Sequence, residues 1–487
     1  MYKIFFKYND YLMNREFDKA KLFFESGLKE IEKLNFDKAE EEFLQSLKII
    51  PNRSSTMYHL VNIYIFKEKF DKLTSLTNLL LKHFPNEGVT KSLPAFSLFN
   101  EGKYQASVDL LIDVLNDKIN DQDYLILSVF IAQVFRKLKK DSHAIKYYKK
   151  ILIKEKNPNI YYNIACILSD NRKTKLSIKY FNKSLSLRPK DVSCNWNLAL
   201  CLLRSQNFEE GFELYEYRWL TKRIKKKFTN IKSLFESKEP KNKNILIWSE
   251  QGFGDNINFS RFVIDLKNQN NNKIFFATIE GLKELFQFLS NEIQVISFEE
   301  AEKISFDFQI SLMSLPRYLR IKNTNNINFY KLAINEKDNL QLDKSKKNIG
   351  ISFSGNTNYY LDHARSIPFK YFEPIIQKKY NFYCLQKDIR SSDLEEFSKH
   401  DIKKLGHLGF YELAQYIKNL DFIITIDTSI AHLSGILNKK TFLLLDYNPD
   451  WRWFNNFNKT IWYPSFEIIK QKKKNDWKSV IDRAKNL

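Results

Sequence analysis

Residues 245–263, ILIWSEQGFGDNINFSRFV, run from four apolar residues through two glycines into an aspartate, and an amphipathic segment follows over 257–266. Such a run reads as a buried strand, a tight turn and a helix. The turn holds Gly252, Gly254 and Asp255. Asp255 either caps the helix behind it or faces a cleft and handles a proton. The choice depends on what surrounds the turn.

Downstream, the composition changes. Eight of the twelve glycines lie after residue 244. The short apolar runs ILIW, KIFFAT, VISF, FQISL, IGISFS, FYCLQ, FIITI and TFLLL alternate with helical patterns. That alternation predicts parallel α/β sheets. The strands fall before and after about residue 345, which predicts two Rossmann-like lobes that bind ligands beyond the carboxyl ends of their strands.

Two more strand-to-helix turns stand out: SFSGNTNYYLDHARSIP (352–368) and DFIITIDTSIAHLSGILNKKTFLLL (421–445). In the second, a buried strand runs into Asp427 and Thr428, and a helix starts near Ser429. The free N–H groups and positive dipole of a helix start can receive a diphosphate. Thr428 and Ser429 add hydroxyl donors, and His432 lies one turn in. From these residues alone, an N-cap at Asp427 and Thr428 with a packed His432 stands equally.

Upstream, the chain repeats. FDKAEEEF, FDKLTSLT, YQASVDLL, DSHAIKYY, KTKLSIKY and FEEGFELY share one template, aligned at Ala39, Leu73, Ser107, Ala144, Ser177 and Gly211. The spacings are 34, 34, 37, 33 and 34, and Asn163 and Asn197 repeat the period in a second register. Turn signals recur at Pro51, Pro85, Pro158 and Pro189. The pattern resembles the tetratricopeptide repeat, a helix-turn-helix unit. Units of that kind stack into a solenoid whose concave surface binds a peptide or protein, or serves as a spacer or dimerisation module. The period stops near residue 221, and the basic stretch 221–243 reads as a linker.

The bulk properties limit the function classes. At 487 residues, with 43% hydrophobic and 15% aromatic content, the chain predicts two or three well-filled domains. No run of eighteen apolar residues occurs, and the start MYKIFFKYNDYLMNREF has no signal-peptide pattern, so a cytoplasmic protein is expected. Cys166, Cys194, Cys201 and Cys384 form no C-x-x-C pair and read as buried thiols. The net charge of +21 raises nucleic acid, anionic lipid and phosphorylated ligands. The basic runs KRIKKK (222–227) and KQKKK (470–474) read as solvated faces. No nucleic-acid-binding signature accompanies them, so nucleic acid is not expected, while peripheral membrane contact stays open.

EQGFGD, SGNTNYYLDHARSIP, DTSIAHLSG and the closing NPDWRWF…WYP resemble, in order and rough spacing, bacterial proteins that join tetratricopeptide repeats to a heptosyltransferase-like domain of glycosyltransferase family 9. FELYEYRWL (212–220) looks like the last helix before that domain. The resemblance implies an α-solenoid over 1–220, a linker over 221–243, and an α/β GT-B-like module. Its acceptor-side lobe would span 244–345 and its nucleotide-sugar lobe 346–487. Carried over by residue, Asp255 becomes the base. Asp427, Thr428, Ser429 and His432 meet the diphosphate, and Arg365, with His363 beside it, faces the phosphates. Gly252, Gly254, Ser354, Gly355 and Asn356 line the cleft. The family typically offers a lysine where this chain has Arg365, and the first lobe is short for one that grips a lipid-linked acceptor.

The expected activity is therefore transfer of a sugar from a nucleotide-diphosphate sugar to a protein or glycan presented in part by the repeats. No metal or resident cofactor is expected, since no D-x-D motif stands beside the cleft strands. Trp451, Trp453 and Trp462 either stack on the donor or pack the C-terminal segment. The alternative function is a non-catalytic scaffold with a degenerate transferase-like module.

Overall fold

The computed structural model describes residues 2–486, except 34, 68, 85–87, 118–120, 222–223, 238–239, 270, 336–341, 344, 360 and 455–457. Pro85, the first two residues of KRIKKK, and Tyr360 thus lie outside the described residues. Two compact units form, Met1–Ile160 and Tyr161–Leu487.

The first twelve helices form six consecutive pairs: α1 (Tyr2–Glu32) with α2 (Phe36–Ile49), α3 (Ser54–Phe66) with α4 (Phe70–His83), α5 (Gly88–Asn100) with α6 (Tyr104–Asn116), α7 (Asp121–Lys137) with α8 (Asp141–Lys154), α9 (Pro158–Asp170) with α10 (Thr174–Leu187), and α11 (Val192–Arg204) with α12 (Phe208–Tyr215). The boundary between the units falls inside α9. Every small-residue position of the template is the fourth residue of the second helix in its pair, and all six are buried. Ser107 and Ser177 show why that side chain is short: each Oγ donates to a carbonyl of the paired helix, at Ala95 (2.6 Å) and Ala165 (2.7 Å). Five residues earlier the chain turns through positive φ, at Gly102, Lys139, Arg172 and Gln206. A left-handed residue there ends the first helix in these four pairs.

The second unit adds two parallel sheets. The first contains β1 (Asn244–Trp248), β2 (Lys273–Ala277), β3 (Ile293–Ile296) and β4 (Phe308–Ser311), in the order β3-β2-β1-β4. Between them lie α13 (Phe253–Gln269), α14 (Glu280–Phe286) and α15 (Phe298–Ala301), and α16 (Leu315–Tyr318) follows β4. The second sheet holds β5 (Lys347–Ser352), β6 (Tyr380–Cys384), β7 (Ile402–Lys404), β8 (Phe422–Ile426), β9 (Thr441–Leu445) and β10 (Phe466–Lys470). Its order, β10-β9-β8-β5-β6-β7, is the six-stranded doubly wound order. Its helices are α17 (Asp362–Arg365), α18 (Phe369–Phe372), α19 (Ser391–Ser398), α20 (Phe410–Asn419), α21 (Ser429–Ile436) and α22 (Trp477–Ala484).

These strands read as unbroken apolar runs because both faces of each sheet are covered. In β8 and β9, Ile423, Leu443 and Leu445 face one core, while Ile424, Ile426, Phe442 and Leu444 face another. The first of those cores also takes Phe208, Phe212 and Tyr215 from the last helix pair, with Ile245, Ile247 and Phe259 from the first lobe. The stretch after the repeats is packed as well. Leu234 is buried, and Lys232 O accepts the Gln309 N–H of β4 at 2.8 Å.

The basic run 470–474 divides, because β10 carries its first residue inward. Lys470 Nζ donates to Phe454 O at 2.8 Å and Gln471 is buried, while Lys472, Lys473 and Lys474 are exposed. Among the four free thiols Cys194, Cys201 and Cys384 are buried and Cys166 is half-buried. Among the described residues no helix is long and apolar enough to cross a membrane.

Candidate functional site

Each sheet reverses its strand order beside its first strand, between β1 and β4 and between β5 and β8. In open parallel sheets such reversals leave a crevice at the carboxyl ends. The candidate residues gather at these two places.

The β5–β8 crevice is built by two turns. After β5, Ser354 is fixed by Gln386, whose Oε1 accepts its N–H and whose Nε2 donates to its Oγ at 2.7 Å. Asn356 is exposed and accepts the Asn358 N–H. Arg365 reaches across to β8, where its Nη1 donates to Asp427 O at 2.9 Å. Asp362 holds it there through Nε at 3.2 Å, and the Tyr359 ring lies 4.5 Å from its guanidinium. Gly355 leaves room for this contact: a Cβ would stand 2.6 Å from Arg365 Nη2 and 2.7 Å from Asp362 Oδ1, so those side chains would have to shift. His363 is exposed and makes no hydrogen bond among the described residues.

Across the crevice, Thr428 occupies the N-cap of α21 in extended conformation without capping the helix, and its Oγ1 is buried without a hydrogen-bond partner. The amides of Ser429 and Ile430 have no protein acceptor among the described residues. Burial and the neighbouring Asp450 raise the Asp427 carboxyl above its usual range, with Arg365 opposing. His432 is buried against Trp453, at 5.1 Å between ring centroids, and its Nδ1 lies 2.9 Å from Tyr463 Oη and 3.3 Å from Asn258 Nδ2. Burial, followed by Arg452 and Arg261, pushes the imidazole well below its ordinary value, so it stays neutral near pH 7.

The opening turn lies against this helix. A Cβ on Gly254 would stand 2.8 Å from His432 Cδ2 and 3.5 Å from Ser429 Cα, so only glycine lets α13 approach α21 this closely. Asp255 is the third residue of α13, and its Oδ2 accepts the Gly252 N–H at 3.1 Å, the reach-back of a capping acid. Its Oδ1 lies 2.6 Å from Arg452 Nη2, an ion pair that misses hydrogen-bond angles. Asp255 therefore does cap, and it also stands beside the α21 N-terminus with a quarter of its side chain open to solvent.

The β1–β4 crevice is closed from within. Arg218, in the 3-10 turn after α12, is fully buried there. It grips Glu250 bidentately, through Nε at 3.0 Å and Nη2 at 2.6 Å, and donates to Ser311 and Ser314 Oγ. Glu216 neutralises it further at 2.6 Å, and Trp219 lies 4.1 Å over its guanidinium. Gln251 Nε2 then donates to Tyr215 Oη at 3.1 Å, so the last repeat helix holds the residues leading into Gly252.

Trp451, Trp453 and Trp462 are buried, with their rings against protein. Trp451 meets Phe212, Tyr215 and Phe259 edge-on, Trp453 stacks on His432 and Phe466, and Trp462 donates Nε1–H to Arg452 O at 2.8 Å. A surface cavity of about 800 Å³, lined among others by Lys227, Phe228, Phe298 and Asp307, opens instead near the amino end of β4 and contains none of the candidate residues. Among the described residues no group of three or more His, Cys, Asp or Glu side chains could hold a metal ion.

Sequence reasoning missed Arg218, Glu250, Arg452 and Arg261. Arg218 and Glu250 do stand inside the two phrases FELYEYRWL and EQGFGD, each beside the part that drew attention. An arginine inside the aromatic run YEYRWL and a glutamate just past the strand ILIW are the signal that the sequence offers.

A tetratricopeptide repeat family model matches residues 158–191, the α9–α10 pair. None of the curated proteins matches the chain. Among solved structures, a glycosyl transferase family 9 protein from Veillonella parvula is 12% identical with a TM-score of 0.39, covering 48% of this chain and 88% of its own. The iron-containing dodecameric glycosyltransferase TibC from enterotoxigenic E. coli is 9% identical with a TM-score of 0.37, covering 50% and 66%. PilF of Pseudomonas aeruginosa is 15% identical with a TM-score of 0.34, covering 43% and 92%. At these scores the likenesses decide nothing about activity.

Proposed function

We propose that the C-terminal module is a glycosyltransferase using a nucleoside-diphosphate sugar. The observation that carries this reading is the group of unpartnered donors at the β5–β8 crevice. There Arg365, the buried Thr428 Oγ1 and the free amides of Ser429 and Ile430 converge on one place, beside the turn that carries Asp255. A helix start with free N–H groups and an adjacent guanidinium is the chemistry that holds a diphosphate.

In this reading Asp255 takes the proton of the acceptor hydroxyl as its oxygen bonds to the anomeric carbon. The bond from that carbon to the diphosphate oxygen breaks, and the nucleoside diphosphate leaves with the electron pair. Arg365 and the α21 dipole stabilise the charge it gains, so no metal or resident cofactor is called for. Neutral His432 contributes shape rather than charge. The acceptor is a protein or glycan brought in part by the repeats.

One observation favours the alternative, a non-catalytic module that senses a nucleotide-sugar within a scaffold: both oxygens of Asp255 already have partners. The two readings separate on incubating the purified full chain with a panel of nucleoside-diphosphate sugars. Release of nucleoside diphosphate from one donor supports the transferase. Binding without release supports the sensor, and neither binding nor release removes both.

A further inference from the structure

We propose that Arg452 is an anion-binding residue of the cleft, which holds Asp255 while no ligand is present and turns to a ligand phosphate when one binds, freeing the carboxylate. This deepens the reading of the β5–β8 crevice as a nucleoside-diphosphate site and rests on it.

Arg452 is 5% exposed, yet its Nε and Nη2 have no hydrogen bond. A buried guanidinium with two unsatisfied donors is costly, and such donors are rare unless something else meets them. The side chain does not lack support. Nη1 donates to Asp450 Oδ1 at 2.8 Å, Trp451 lies 4.6 Å and Phe259 5.4 Å from the guanidinium carbon, and Asp450 Oδ1 also takes the Arg452 N–H. One edge of the fork is therefore anchored and the other is not.

On the unanchored edge stands Asp255, close enough to attract but off the hydrogen-bond axis. A phosphate, with oxygens in several directions, can accept from Nε and Nη2 together where this carboxylate does not. The charged and titratable groups around Arg452 are Asp255 of α13, Asp427 after β8, His432 of α21, Asp450 of its own turn, Tyr215 of α12 and Tyr463. Arg452 thus faces both the proposed base and the α21 end of the crevice. With the guanidinium beside Oδ1 and the Gly252 N–H on Oδ2, an acceptor hydroxyl meets a crowded carboxylate. Ligand binding and base release become one event.

The test is calorimetric titration of the full-length protein with UDP, GDP and ADP in turn, for the wild type, Asp255→Asn, Arg452→Gln and the double variant, each with its melting temperature. Asn keeps the cap to Gly252 but leaves Arg452 without its ion pair, so Asp255→Asn should bind the preferred nucleoside diphosphate about fivefold tighter. Arg452→Gln should bind it more weakly, and the gain should vanish in the double variant. Unchanged or weaker binding by Asp255→Asn overturns the proposal and leaves the nucleotide site standing. A gain that persists without Arg452 also overturns it, since relief of general repulsion would then explain the change. If the wild type binds none of the three, the site reading itself falls, and this inference with it.

Discussion

The crevices of the two lobes start from one topology and end differently. Between β1 and β4 the strand reversal is plugged by Arg218, with Glu250, Glu216, Ser311 and Ser314 satisfying it. Between β5 and β8 the same kind of reversal leaves Thr428 Oγ1 and the first amides of α21 without protein partners. The chain supplies its own cation to one crevice, and in our reading leaves the other to a ligand's anion. It also uses the first plug to fasten the last repeat helix to the turn that carries Asp255.

The comparison breaks most readily at the plug. Residues 161–487 should fold as a cooperative unit, while 240–487 should not. The shorter piece loses Phe208, Phe212 and Tyr215 from the shared core and leaves Glu250 buried without its guanidinium. Solubility and a thermal transition for each piece check this, and a cooperative melt of 240–487 would show that the plug is dispensable.

Next in size is Arg218→Met in the full chain. Removing one partner of a buried pair leaves an uncompensated charge, a loss of about 3–5 kcal/mol by denaturant titration. A loss below about 1 kcal/mol would mean that Glu250 finds water or protonates without strain.

The second crevice gives a smaller effect on stability and a larger one on binding. Arg365→Ala, whose side chain is partly open and bonded to a carbonyl, should melt close to the wild type and bind nucleoside diphosphate roughly 10- to 150-fold more weakly, the range for hydrogen bonds to a charged group. Equal affinity in the two proteins would move the phosphate elsewhere.

Local periodicity made much of this legible. The six small-residue positions of the repeat are all buried at one place in each helix pair, and eight of the ten strands among the described residues stand in the apolar runs of the sequence. The two missed strands lack that signal. β7 is Ile402–Lys404 with two lysines, and β10, FEIIK, ends in a basic run that reads as solvated. The turns around Asp255, Arg365 and Asp427 were visible because glycines and strand ends mark them. What joins them was not. Arg218 meets Glu250 across 32 residues and Arg452 meets Asp255 across nearly two hundred, and no periodicity connects such partners. The tryptophans show the same limit: their place after strand TFLLL left stacking and packing both open, and the rings they meet lie far away in sequence.

In our reading the ligand belongs to the β5–β8 crevice and not to the plugged one. Amide hydrogen exchange of the full-length protein, with and without the nucleoside diphosphate that binds best, tests it most directly. Slowed exchange is expected over residues 353–366 and 427–433, with 311–318 unchanged. Slowed exchange confined to 311–318 and the residues around Glu250 would place the ligand in the first lobe and contradict the account.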